Sequence, residues 1–110
     1  MIRGDVHRLR PPRTRGGHEQ QGPRFGVVVQ ATSLLGLSTV LVAPTSTSAR
    51  DASWRPRIDL DGSRPLVLVD QVAAVTAERL GDFRGRLEPA ELEAVDHALL
   101  IVFGLPTPGS

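Results

Sequence analysis

Short runs of β-branched and aliphatic residues, separated by turn signals, constrain this chain more than any other feature. Residues 25–30 (FGVVVQ) read as a buried central strand, and residues 38–42 (STVLV) as a second that Pro44 ends. Residues 57–60 form a short half-buried strand, and Asp61-Gly62 followed by Ser63 marks a tight turn. Residues 65–69 (PLVLV) give another buried strand. Residues 5–9 (DVHRL) read as a first strand in which Val6 and Leu9 are only partly in register. The gaps between runs are too short for helical crossovers, so the sheet is expected to be antiparallel. Residues 76–83 suggest one helical turn with Thr76 as its N-cap.

The last segment reads as a helix. Pro89 suits the first helical position, and Glu91 and Glu93 favour the opening turns. Leu92, Val95, Leu99, Val102 and Phe103 recur at three- and four-residue spacing on one face, and Gly104 and Pro106 stop the helix. Five short strands and one packed helix predict a mainly β domain, a small and partly closed antiparallel barrel. With 110 residues, the chain supports one domain, taken as residues 1–105 with a short tail over 106–110.

Between the first two strands lies a polar segment, residues 10–24, interrupted by Pro11, Pro12, Gly16, Gly17, Gly22 and Pro23. Such a segment cannot be regular structure, and a loop this long in a small domain is disordered or functional. Residues 1–24 hold six arginines against two acids, whereas residues 76–99 hold three arginines against six. All 13 basic residues are arginine, the better fork for phosphate oxygens. The basic segment is therefore a candidate anion site, or merely a solvated loop. With no cysteine, disulfides, thiol catalysis and most zinc sites are excluded. No apolar run approaches the roughly 20 residues of a membrane span, and no secretory leader opens the chain, so a cytoplasmic location without membrane attachment is expected.

Familiar catalytic motifs are missing. No phosphate-binding glycine loop is present, and His7, His18 and His97 are scattered without metal-ligand spacing. Arg3-Gly4-Asp5 reads as a strand lead-in. Two places retain chemical interest. One is Arg24, at the junction of the basic loop and the first buried strand. The other is the hydroxyl cluster Thr45-Ser46-Thr47-Ser48, which could equally make turn hydrogen bonds.

Taken in order, the motifs resemble the MazF/PemK family of toxins. The resemblance is carried by Ile2-Arg3-Gly4-Asp5-Val6; by Gly17-His18-Glu19-Gln20 with Gly22-Pro23-Arg24 and Val27-Val28-Val29; by Val42-Ala43-Pro44-Thr45-Ser46; and by Leu68-Val69-Asp70-Gln71-Val72 with Arg79-Leu80. It implies an SH3-like barrel with a C-terminal helix, usually a homodimer. It also implies an endoribonuclease that cuts single-stranded RNA, often mRNA, without metal or other cofactor and leaves a 2′,3′-cyclic phosphate. A cognate antitoxin protein would hold it in check. Carried over, the active-site arginine falls on Arg24, and the hydroxyl on Thr45, with Ser46 second. Arg10, Arg13, Arg15, His18, Glu19 and Gln20, with Gln71 beyond the loop, are the expected RNA contacts.

One position departs from the family pattern. Phe25 follows Arg24 where the family usually has proline. Its ring reads either as the start of the core strand or as a platform for a stacked base. The residues also leave open a gyrase-poisoning toxin of the CcdB type, acting through its terminal helix, a non-catalytic RNA-binding barrel, and a toxin that has lost activity.

Overall fold

The computed structural model describes residues 1–11 and 24–108. Among the described residues there are six strands, β1 (Asp5–Leu9), β2 (Arg24–Val28), β3 (Thr39–Ser46), β4 (Leu66–Val67), β5 (Ala73–Thr76) and β6 (Leu80–Arg86), followed by one α-helix, α1 (Pro89–Phe103). Every pairing is antiparallel. The sheet runs β4-β3-β2-β1-β6, with β5 also paired to β3.

The unbroken valine runs follow from a sheet buried on both faces. Val6, Val27 and Ala43 join Ile58, Leu60, Val67, Val69 and Leu87 in a core that Val95 and Ala98 of α1 complete. Leu9, Val28, Val40, Val42 and Val75 form a second cluster on the other face, with Leu80 packed against it. Residues from five strands meet in that cluster only because the sheet coils around it, so the barrel is partly closed. Among the described residues no ladder joins β5 to β6. Val6 and Leu9 look out of step in sequence because they serve opposite faces.

Several boundaries differ from the sequence reading. Pro44 does not end its strand: β3 continues to Ser46. Pro44 sits where β3 changes partner, between residues paired with β5 (Thr39 to Val42) and those paired with β4 (Thr45, Ser46). Its carbonyl still accepts the Leu68 N–H at 2.8 Å, and little of the ladder needs the N–H it lacks. Residues 76–83 hold only a short 3₁₀ turn, Ala77–Arg79, before β6 begins, and Thr76 makes no side-chain cap. Residues 57–60 contribute isolated bridges rather than a strand, and the run at 65–69 narrows to β4. The turn at Asp61-Gly62 forms as expected, with φ of 48° and 83° and reciprocal Leu60–Ser63 backbone bonds of 2.9 Å.

Helix α1 begins at Pro89 and ends at Gly104, whose φ of 67° permits the left-handed cap. The Glu91 carboxylate accepts the N–H groups of Glu88 and Asp59, both at 2.8 Å, so one side chain caps the helix and ties it to the preceding turn region. The buried stripe is centred on Val95 and Ala98, flanked by Leu92, Leu99 and Val102. Phe103, expected on that face, is exposed in the last turn of the helix. Among the described residues, no helix is long and apolar enough to cross a membrane.

Candidate active site

Arg24 opens β2 and is solvent-exposed. It pairs with Leu9 of β1, and among the described residues its guanidinium has no hydrogen-bond or ion-pair partner. On its other side, β2 and β3 are in register at Gly26–Pro44. Two further steps along that register set Phe25 opposite Thr45 and Arg24 opposite Ser46. Thr45 confirms the alignment by donating its hydroxyl to the Phe25 carbonyl at 3.3 Å. The backbone positions of the arginine and both hydroxyl residues therefore lie at one end of the β2–β3 ladder. Ser46 shares the face of Arg24, where directly opposite side chains lie about 4.5–5.5 Å apart at Cβ, whereas Thr45, one residue along, shares the face of Phe25.

The two hydroxyls differ in commitment. Ser46 Oγ accepts the N–H groups of Ser48 at 3.1 Å and Ala49 at 3.0 Å, so it shapes the turn that leaves β3. Thr45 has a single long bond among the described residues and is the freer group there.

Phe25 is a core residue. Its ring is half-buried against the α1-side cluster, and the Arg84 guanidinium lies 5.5 Å from its centroid while pairing with Asp61. That cation occupies the ring, which leaves no platform for a stacked base.

The Arg3-Gly4-Asp5 opening is structural. Arg3 donates to the Val29 carbonyl at 2.8 Å and pairs with Asp96 of α1 at 2.6 Å. Gly4 has a φ of 96° that favours glycine. Asp5 is 1% exposed and accepts the Ile2 N–H at 2.9 Å and Arg86 Nε at 2.7 Å. Burial pushes its carboxyl up, but the bonds from Arg86 and Ile2, with the charges of Arg86 and the N-terminus, hold it below the ordinary value.

Of the expected RNA contacts, Arg13, Arg15, His18, Glu19 and Gln20 lie outside the described residues. Arg10 just follows β1, with Nη1 donating to the Glu78 carbonyl at 2.6 Å. Gln71 is exposed at the end of a 3₁₀ turn, Val69–Gln71. Its neighbour Asp70 receives both Nε (3.0 Å) and Nη2 (2.9 Å) of Arg55, whose Nη1 donates to the Arg50 carbonyl at 3.1 Å. The Arg55 bonds hold the Asp70 carboxyl below its usual range. Arg55 thus braces the loop after β3 against the turn carrying Gln71. Sequence reading missed it, since a lone arginine in a polar loop gives no signal of its own.

A family model for the PemK-like, MazF-like toxin of type II toxin-antitoxin systems matches residues 2–103. The chain belongs to this family. A Mycobacterium tuberculosis protein named as a candidate toxin is 37% identical over 106 residues, covering 96% of this chain and 99% of the relative. Among solved structures, a mycobacterial endoribonuclease in complex with its cognate antitoxin superposes with a TM-score of 0.79 at 22% identity, over 98% of this chain and 99% of that one. A MazE–MazF complex from Deinococcus radiodurans gives 0.76 at 16% identity, over 96% and 97%. At these identities the structural likeness establishes that this toxin-family chain has the MazF-like fold, a mainly antiparallel sheet with a C-terminal helix.

Proposed function

We propose that this toxin is a sequence-specific, metal-independent endoribonuclease that cleaves single-stranded RNA, mRNA included, and that Arg24 is its central catalytic group with Thr45 as the accompanying hydroxyl. The observation that carries the reading is the exposed Arg24 guanidinium, unpartnered among the described residues, at the end of the β2–β3 ladder where Thr45 and Ser46 lie on the neighbouring strand. The solved relatives named as endoribonucleases support it.

In the reaction, the 2′-oxygen bonds to the neighbouring phosphorus while the bond from phosphorus to the 5′-oxygen breaks, leaving a 2′,3′-cyclic phosphate. The 2′-proton passes to solvent water, and the leaving 5′-oxygen takes a proton from solvent. Charge builds on the two equatorial oxygens. Arg24, always protonated, can donate two parallel hydrogen bonds to them. Thr45 adds a third donor by releasing its long bond to Phe25, and Ser46 keeps the following turn in place. Removing one such preorganised donor costs about 2.7–4 kcal/mol of barrier, roughly a hundred- to a thousandfold in rate.

The partners on this reading are single-stranded RNA, a cognate antitoxin and a second copy of the chain, in the cytoplasm. Antitoxin complexes among the solved relatives favour the second. Exposed apolar side chains at Leu34, Leu37, Leu41, Ile101, Phe103 and Leu105 offer contact surface for protein partners.

The test is incubation of purified toxin with a long unstructured RNA in EDTA, beside Arg24→Ala. Cyclic-phosphate ends from the wild type, reduced at least a hundredfold in the variant, are expected. Intact RNA with inhibited supercoiling would reassign the chain as a gyrase poison, and binding without cleavage as an RNA-binding module. Thr45→Ala should lose more turnover than Ser46→Ala, whose main effect should be on stability. The reverse order would transfer the catalytic role to Ser46.

A further inference from the structure

We infer that the cleft between the end of β1 and the β5–β6 junction is a nucleotide subsite, which takes an RNA residue flanking the bond served by Arg24. The inference rests on the endoribonuclease reading and adds a site to it. The cleft has a volume of about 570 Å³, and its lining includes Arg10, Pro11, Ala74, Thr76, Glu78 and Arg79.

Three features give it nucleotide chemistry. First, its two guanidiniums are held by backbone carbonyls, and a backbone bond ties the two residues together. The Arg10 N–H donates to the Arg79 carbonyl at 2.7 Å, Arg79 Nε to the Arg10 carbonyl at 2.9 Å, and Arg10 Nη1 to the Glu78 carbonyl at 2.6 Å. Neither is in an ion pair with any described residue. Each retains N–H donors, held in place before a ligand arrives, which suits a phosphate. Second, Pro11 and the exposed Ala74 supply an apolar wall for a ring, with the edge of the buried Val75 beneath. Third, Glu78 is exposed there, and a carboxylate accepts from the exocyclic amino group of a base such as cytosine.

Its position fits the chemistry. Leu9 is the ladder partner of Arg24 on one side of β1 and of Leu80 on the other, and Arg10 follows directly. The cleft therefore lies one strand away from Arg24, across the end of β1.

The test uses the full-length chain, isotope-labelled, titrated separately with cytidine 3′-monophosphate, uridine 3′-monophosphate and inorganic phosphate. Amide shifts centred on Ala74, Thr76, Glu78 and Arg79 are expected. Affinity should be highest for the cytidine nucleotide and at least tenfold lower for phosphate alone. Glu78→Gln should remove the preference over uridine. Ala74→Trp, which fills the cleft, and Thr76→Glu, which repels phosphate, should each weaken binding of a 2′-O-methyl oligonucleotide at least tenfold without lowering the thermal midpoint. If Ala74→Trp does not fold, Thr76→Glu carries that arm. Shifts located elsewhere, or both variants binding the oligonucleotide like wild type, would overturn the subsite. Phosphate binding as tightly as the nucleotides would reduce it to an anion site and overturn it as well. Arg24-dependent cleavage is measured in parallel. Normal cleavage beside an inert cleft removes this inference alone, whereas an uncut RNA removes the endoribonuclease reading.

Discussion

Asp5 and Arg24 are both charged residues at strand ends, yet the fold uses them in opposite ways. Asp5 is buried with its acceptors filled by Ile2 and Arg86, whereas Arg24 is exposed with its donors unassigned among the described residues. A charge that has no structural partner at a converging ladder end is the one available for a ligand. The Asp5 arrangement has a pH consequence. Its carboxyl is more acidic when folded than the roughly 3.9 of an unfolded chain, so the unfolded state binds more protons as pH falls. The stabilisation is complete above the unfolded value and is lost as pH drops through the folded one. Thermal midpoints measured from pH 7 to pH 2.5 should therefore fall more steeply below pH 4 for wild type than for Asp5→Asn. The variant should also be about 1–3 kcal/mol less stable at neutral pH, because the partners of a buried acceptor lose it. Parallel pH curves would remove Asp5 from this role.

At the scale of elements, the strands that carry the site were legible because their signals are local. The valine run of β2, the Asp61-Gly62 turn and the Pro89 start of α1 each follow from residue type and spacing. What was not legible depends on partners far away in sequence. Pro44 reads as a strand end until β3 is seen to exchange β5 for β4 around it. The sequence of β5 (AAVT) lacks any alternating pattern of its own and is a strand only because β3 pairs with it. Arg24 stands out as a candidate through the ordered motifs, but its position opposite Ser46, with Phe25 opposite Thr45, depends on the β2–β3 register. That register also has a steric requirement at Gly26. A Cβ there would come within 2.9 Å of Leu9 Cδ1 and 3.2 Å of its Cγ. Leu9 is buried in the second cluster and can yield only by disturbing Val28 and Val42. Gly26→Ala should thus cost about 1–3 kcal/mol in urea unfolding, as overpacking does. An unchanged midpoint would show that the cluster accommodates the extra methyl.

For the whole molecule, the distribution of arginine carries more functional meaning than the formal net charge of +1. The structure divides the basic N-terminal segment by job. Arg3 is tied to Val29 and Asp96, whereas Arg10 and Arg24 retain free donors among the described residues. Only arginines of the second kind can replace the counterions of an RNA backbone. Their contribution is measurable apart from catalysis, because each phosphate contact on a single strand adds about 0.7 to the slope of log affinity against log salt. Binding of a 2′-O-methyl oligonucleotide should therefore weaken steeply between 50 and 200 mM salt. Arg24→Ala should flatten the slope by about 0.7, since one phosphate contact is lost. Arg3→Gln should leave it unchanged while lowering thermal stability, since Arg3 serves the fold. A slope insensitive to Arg24 would mean that this guanidinium does not hold a phosphate in the bound state, and would take from it the charge-stabilising role in cleavage.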